Sequence, residues 1–266
     1  VLVASLLAGT AAAKNISISI SPTVELQNDA LSVRVRVTNS GDEAAHSVVP
    51  VVRFAGKEVR GTVREALGPN ESLEQTLSLP VGQLGAGRWP YQLAIDYADA
   101  NQYPFQALHV GLLTTGNPPP AKAAVPEVQA GAVDKSGTAR VKVKNLAPAD
   151  RKATVTMIVP DGLEASKATQ ELALAGWEEK SLSFPLVNRT ALAGSRYPVF
   201  VVVQYDDGDA HQTVLSQGVV DILASQSFFQ RSQNLLWVGA GALVLAWLGF
   251  VVWSATVRPR RAQSRS

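Results

Sequence analysis

Aspartates crowd two turns of this chain. Asp206, Asp207 and Asp209 surround Gly208 in QYDDGDAH, and Asp96 and Asp99 lie in the corresponding stretch AIDYADANQY. Clustered carboxylates offer the oxygen ligands that calcium takes. The spacing completes no EF-hand loop, however, and Asp-Gly is a strong hairpin signal in its own right. Hairpin turns are the reading adopted, and no metal or cofactor is expected. His46, His109 and His211 are far apart, with no His-x-x-x-His pair, and no nucleophile elbow, phosphate loop or dinucleotide fingerprint occurs. The chain has no cysteine, which excludes disulfides, thiolate metal sites and thiol chemistry. No constellation points to an enzyme.

Cations form a second pattern. Arg34 and Arg36 alternate along one stretch, and Arg140, Lys142 and Lys144 along another. Such rows suit an anionic glycan or lipid, but more often they solubilise an exposed sheet face or blunt an edge strand. The solvated face is the expectation here. Asn15, Asn70 and Asn188 begin glycosylation tripeptides, which matter only in a host that modifies them.

The elements that carry these residues are written twice. LSVRVRVTN from Leu31 and TARVKVKN from Thr138 alternate apolar and polar residues, the pattern of a strand with one face on a core. Val35 aligns with Val141, Val37 with Val143 and Asn39 with Asn145, and Pro80 later aligns with Pro185. GRWPYQLAIDYADANQYPF from Gly87 then matches GSRYPVFVVVQYDDGDAHQTV from Gly194, with Trp89 on Tyr197, Pro90 on Pro198, Tyr97 on Tyr205 and Asp99 on Asp207. The landmarks keep their order at offsets of 105 to 108, so they are an internal repeat. Each copy reads as short strands between turn signals such as NSGDEAA and LGPNES, without helical periodicity. The expected fold is all-β: two tandem antiparallel immunoglobulin-like β-sandwiches, at 14–113 and 127–223. The proline-rich linker 114–126 favours an extended spacer, giving a rod of two modules. The turn bearing Asp99, Asn101, Gln102 and Tyr103 would then be an exposed loop near the distal tip, a candidate binding loop with Tyr103 as an aromatic anchor.

The apolar residues left over lie at the two ends. Residues 1–13, VLVASLLAGTAAA, read as the remnant of a secretory signal peptide, with small residues at a cleavage point. Leu235 to Val257 is 23 residues long and uncharged. It would extend about 34 Å as a helix, enough to span a bilayer. Trp237 and Trp253 suit its interfaces, and Arg258, Arg260, Arg261 and Arg265 follow it. The arginines place residues 258–266 in the cytoplasm and everything upstream outside it, periplasmic or extracellular. Four of the 24 basic residues follow this segment, leaving 20 against 22 acidic ones, a net of −2. The basic overall balance belongs to the tail and does not argue for nucleic acid. Gly239, Gly241, Ala242, Ala246 and Gly249 make small-residue surfaces through which a second membrane helix would approach closely. Residues 224–234, with Phe228 and Phe229, form a juxtamembrane segment.

VRVRVTNSGDEAAHSVVPVVRFAGKEV, followed by LGPNESLEQTLSLPV and GRWPYQLAIDYADAN, resembles the bacterial CARDB-type immunoglobulin-like module. Val37-Thr38-Asn39, Gly41-Asp42, Gly68 to Ser72 and Tyr91 to Asp99 carry the resemblance. The second copy has Asn145-Leu146-Ala147-Pro148 where the first has Asn-Ser-Gly-Asp. The resemblance implies a sandwich fold related to cell-adhesion domains and says little of function. Together these features lead to a non-enzymatic, single-pass envelope protein in the bilayer, acting as an accessory or scaffold subunit for a membrane-protein partner. The alternative is a surface adhesin or glycan-binding protein that uses the distal loops.

Overall fold

The computed structural model describes residues 15–223, 246–248 and 250–253. The chain divides into two units, Val1–Leu223 and Ala224–Ser266. The signal-peptide reading of 1–13 lies outside the described residues. So does most of the expected membrane span, including Gly239, Gly241, Ala242 and Gly249. Ala246 and the other described residues of the second unit are helical and exposed. Among the described residues no helix is long and apolar enough to cross a membrane.

The first unit is all β and layered as a sandwich. Its first half contains β1 (Ile18–Gln27), β2 (Ala30–Asn39), β3 (Ala45–Phe54), β4 (Lys57–Arg60), β5 (Arg64–Leu67), β6 (Ser72–Pro80), β7 (Gly87–Ala98) and β8 (Pro104–Thr115). Its second half contains β9 (Ala123–Ala130), β10 (Ser136–Asn145), β11 (Arg151–Ile158), β12 (Leu163–Ala165), β13 (Thr169–Leu174), β14 (Glu179–Asn188), β15 (Arg196–Asp207) and β16 (Ala210–Asp221). One sheet has the order β1-β2-β6, and a second has β12-β14-β10-β9. A third runs β13-β11-β15-β16-β7-β3-β4, with β5 on β3 and β8 on β7, so it passes through both halves.

Period-2 alternation decides which residues enter the cores. Leu31, Val33, Val35 and Val37 of β2 are fully buried, as are Ala139, Val141 and Val143 of β10. The first group packs with Leu93 and Ile95 of β7, and the second with Val199, Val201 and Val203 of β15. Both β2 and β10 end on an asparagine with no exposed surface. Asn39 Nδ2 donates to Glu43 O at 2.7 Å and Leu67 O at 3.0 Å, and its Oδ1 accepts from Gly41 N at 3.0 Å. Asn145 Nδ2 donates to Ala149 O at 2.8 Å and Ala175 O at 2.9 Å, and its Oδ1 accepts from Ala147 N at 3.1 Å. Each side chain thus satisfies at least three backbone groups that the strand-to-strand corner would otherwise strand away from water.

The linker does not hold the two halves apart. Val51, Ala94, Leu108 and Val110 of the first half form a third buried cluster with Phe200 and Val202 of the second. Repeat symmetry runs through it. Ala94 and Val202 are separated by 108 residues, the offset of Trp89 and Tyr197. Ala94 pairs with Leu108 across the β7–β8 hairpin, and Val202 pairs with Leu215, which packs on the cluster, across β15–β16. Equivalent outer faces of the two copies therefore meet. The rod-like arrangement with a spacer is replaced by a side-by-side pair with a shared apolar seam.

Candidate functional site

The seam is the most elaborate part of the described structure. At one end, β7 and β16 run parallel where Gly87 faces His211. The approach needs glycine, because a Cβ at Gly87 would lie 2.5 Å from His211 O. The His211 ring stacks on Trp89 with centroids 4.2 Å apart and a 17° interplanar angle. Its Nε2 lies 3.2 Å from Gln204 Nε2, and its Nδ1 lies 3.0 Å from Asp206 Oδ1. Arg88 donates to Gln212 Oε1 at 2.6 Å and to Pro119 O of the linker at 2.8 Å, and Thr213 Oγ1 donates to Arg88 O at 2.7 Å.

At the other end, Gln106 acts like a strand of backbone. Its Nε2 donates to Asp161 Oδ2 at 3.0 Å and Asp96 Oδ1 at 2.8 Å, while its Oε1 accepts from Asp161 N at 3.1 Å. The candidate loop sits beside this contact. Asp99 Oδ1 accepts from Asn101 N at 2.8 Å and Tyr103 N at 2.9 Å, so its carboxylate is spent on its own turn. Tyr103 Oη donates to Thr190 O of the second half. Asn101 and Gln102 are exposed, and Gln102 has a φ of 64°. The loop therefore belongs partly to the seam and is not a free distal tip.

A crevice of about 360 Å³ opens between the halves, lined by Ile18, Tyr97, His109, Arg196 and Tyr197 among others. Burial, with Tyr197 adding to it, pushes the Tyr97 phenol up to about 12. Burial holds His109 below its ordinary range.

The acidic turn of the second copy is used internally. Lys122 Nζ lies 2.8 Å from Asp207 Oδ2 and Arg151 Nη2 lies 3.6 Å from Asp207 Oδ1. Arg151 is buried and stacks 4.4 Å over the Tyr205 ring, whose hydroxyl accepts from Lys122 N at 2.7 Å. Among the described residues no group of three or more His, Cys, Asp or Glu is placed to hold a metal. The basic rows divide. Arg36 pairs with Glu74 and Lys142 with Glu127, on exposed outer sheet faces.

The Lys122 ammonium, helped by Arg151, holds the Asp207 carboxyl below its usual range against the opposing effect of burial. A lowered folded pKa contributes stability above the unfolded value, lost as pH falls through the lowered one. Asp207→Asn leaves the Arg151 cation unpaired and is expected to cost about 2 kcal/mol at pH 7. The gap to the native chain should close as the pH falls below about 4. Urea unfolding across that window checks it.

Sequence reasoning missed Phe200 and Val202. The signal was present in PVFVVV, 198–203, an unbroken apolar run where a half-exposed strand would alternate. Residues 199–203 are buried on both faces.

No protein-family model and no curated protein matches the chain. Among solved structures, red sea bream transglutaminase is similar at 16% identity and a TM-score of 0.28, covering 79% of this chain and 31% of that one. Trypsin-activated alpha-2-macroglobulin from Escherichia coli is similar at 12% identity and a TM-score of 0.31, covering 79% of this chain and 18% of that one. GH2 beta-galacturonidase from Eisenbergiella tayi, bound to galacturonate, is similar at 18% identity and a TM-score of 0.27, covering 71% and 35%. This chain spans about a third or less of the length of each. Likenesses of this size carry no argument about fold or activity.

Proposed function

We propose that this chain is a non-enzymatic, single-pass envelope protein that serves as a scaffold or accessory subunit of a membrane complex. In this reading 14–113 and 127–223 are tandem immunoglobulin-like sandwiches of CARDB type outside the membrane, Leu235 to Val257 is the spanning helix, and 258–266 lies in the cytoplasm. The observation that carries it is the buried seam of Val51, Ala94, Leu108, Val110, Phe200 and Val202. Fixing two modules against each other is of little use to a flexible tether. It suits a body that must present several surfaces in constant relative positions to a partner. The partner would be a membrane protein, such as a transporter or envelope-assembly component, reached both outside and through the small residues of the helix.

A second reading, a surface adhesin or glycan binder, finds support in the Tyr97–Tyr197 crevice, where aromatic, cationic and apolar groups converge. Purification in mild detergent separates the two. The scaffold should co-purify in constant stoichiometry with a membrane protein, and replacing Leu235 to Val257 by an unrelated single-span helix should reduce recovery at least about tenfold. Absence of a partner from both chains would remove the scaffold reading. A soluble ligand held equally by both would favour the second.

A further inference from the structure

The repeat supplies an internal control on one hydroxyl. Tyr97 and Tyr205 occupy equivalent positions, on β7 and β15. Tyr205 is buried, and its Oη accepts from Lys122 N at 2.7 Å, in the segment that leads into β9. Ser17 corresponds to Lys122 in the first copy, since the two carbonyls accept from Ser40 N and Leu146 N, each the residue after a corner asparagine. Ser17 N, however, donates to Asn39 Oδ1 at 3.4 Å. Tyr97 is thereby left without the backbone partner that Tyr205 has. Its ring stacks on Phe105 with centroids 5.6 Å apart, but its hydroxyl has no hydrogen-bond partner among the described residues. The phenol is also largely desolvated, which is the main reason its pKa stands near 12. A hydrogen-bonding group that is both dry and unpaired costs free energy until a bound molecule meets it.

Tyr97 lies on the crevice of about 360 Å³ between the halves, and the rest of the lining narrows the class of ligand. Ile18, Ile20, Pro198 and the Tyr197 ring provide apolar walls. His109 Nε2 lies 3.4 Å from Tyr91 Oη, and its Nδ1 has no partner among the described residues. Burial keeps this ring neutral at pH 7, so its two nitrogens offer one donor and one acceptor. Gln106 is committed to Asp96 and Asp161. Arg196 is the one ionised side chain of the lining, and its Nε already donates to Asp221 Oδ1 at 2.8 Å. An anion therefore finds no unpaired cation here, and a cation finds no carboxylate. A purely apolar ligand would leave the Tyr97 hydroxyl unpaired. A neutral molecule with hydroxyls at its edge and C–H groups on its faces meets every requirement, and a sugar ring is such a molecule. The volume falls near the lower end of the range of about 300–1,000 Å³ that small-molecule sites occupy, which suits a short saccharide or the end of a longer one.

We propose that this crevice binds a short neutral saccharide, with the Tyr97 hydroxyl and the His109 ring bonding its hydroxyls and the Tyr197 ring covering a C–H face. The inference rests on the glycan-binding reading, to which it gives a site and a ligand class, and it is independent of the scaffold reading. Tyr97 and His109 belong to the first half, Tyr197 and Pro198 to the second. The saccharide touches both, so the fixed seam is what assembles its site. Tyr205 offers no counterpart in the second copy, because its hydroxyl is already bonded to Lys122 N.

The test screens the full chain, in a detergent without a sugar headgroup, against immobilised oligosaccharides. One set is neutral, built from glucose, galactose, mannose or N-acetylglucosamine; the other carries uronic acid. The neutral set should be retained in preference. For the oligosaccharide held most tightly, Tyr97→Phe should weaken binding about tenfold and keep the melting temperature, because the hydroxyl holds nothing in the free chain. Tyr205→Phe should do the reverse, lowering the melting temperature by roughly 2–4 °C and leaving the affinity unchanged. A neutral oligosaccharide that Tyr97→Phe holds as tightly as the native chain overturns the crevice site and leaves the glycan-binding reading standing. Preference for the acidic set does the same. Retention of neither set overturns the proposal and the glycan-binding reading together. A lowered melting temperature for Tyr97→Phe would make the hydroxyl structural and overturn its assignment to a ligand.

Discussion

A Val202→Asp chain is expected to unfold its first unit in two steps where the native chain unfolds it in one. Val202 is 2% exposed, yet it does not face the core of its own half. Its neighbours Val201 and Val203 do that, and Val202 points across the seam with Phe200 toward Val51, Ala94, Leu108 and Val110. Arg53, which lines a pocket with Val202, is already paired with Glu58. Burying a carboxylate there unpaired costs several kcal/mol, so the halves separate and hydrate it instead. Each half keeps its own core, and the loss falls on the coupling, on the order of 3–5 kcal/mol. Calorimetry should resolve two transitions. Proteolysis should show new cleavage in the linker, whose Pro119 O now accepts from Arg88 and Gln212. Val201→Asp, one residue away but facing inward, should instead unfold the second half outright. A single transition at the native temperature for Val202→Asp would mean that the seam contributes nothing.

Asn145→Leu should be the second severe change. Leucine is close in size and apolar, so a site that merely needed filling would accept it. Here it would leave Ala147 N, Ala149 O and Ala175 O without the partners that Asn145 supplies. Each buried group so abandoned costs about 1–3 kcal/mol, and partial relaxation of the corner suggests a total of about 3–5 kcal/mol. In a unit of this size that lowers the melting temperature by roughly 10 °C. Asn145→Asp should be no better, since a carboxylate keeps the acceptor and loses both donors. Asn39→Leu should do the same to the first half. Chemical denaturation of the three variants checks the claim, and a near-neutral leucine at either position would contradict it.

How far these features could be read in advance depended on the range of the physics involved. Alternation in LSVRVRVTN and TARVKVKN is a local consequence of the pleat, so β2, β10 and their buried valines were legible. So were the repeat and the shared terminal asparagines, although the sequence did not reveal what the asparagines hold. The seam was not read, because it depends on two faces more than one hundred residues apart in the chain meeting each other. Its trace was local all the same: PVFVVV is apolar on both sides, which a strand with one wet face is not. The candidate loop was placed at a turn correctly and at a free tip wrongly, because the expected rod left no neighbour for Tyr103. The acidic turns read as hairpins rather than ligand cages, and Asp207 turned out to be committed to Lys122 and Arg151.

The central claim is that the two halves form one body of fixed geometry. The chain has no cysteine, so Ser78→Cys and Ser183→Cys, on the exposed outer faces of β6 and β14, can carry spin labels without competition. Electron-spin distance measurement on the doubly labelled full chain should give a single narrow distribution, and adding Val202→Asp should broaden it. A broad distribution in the otherwise native chain would contradict the account.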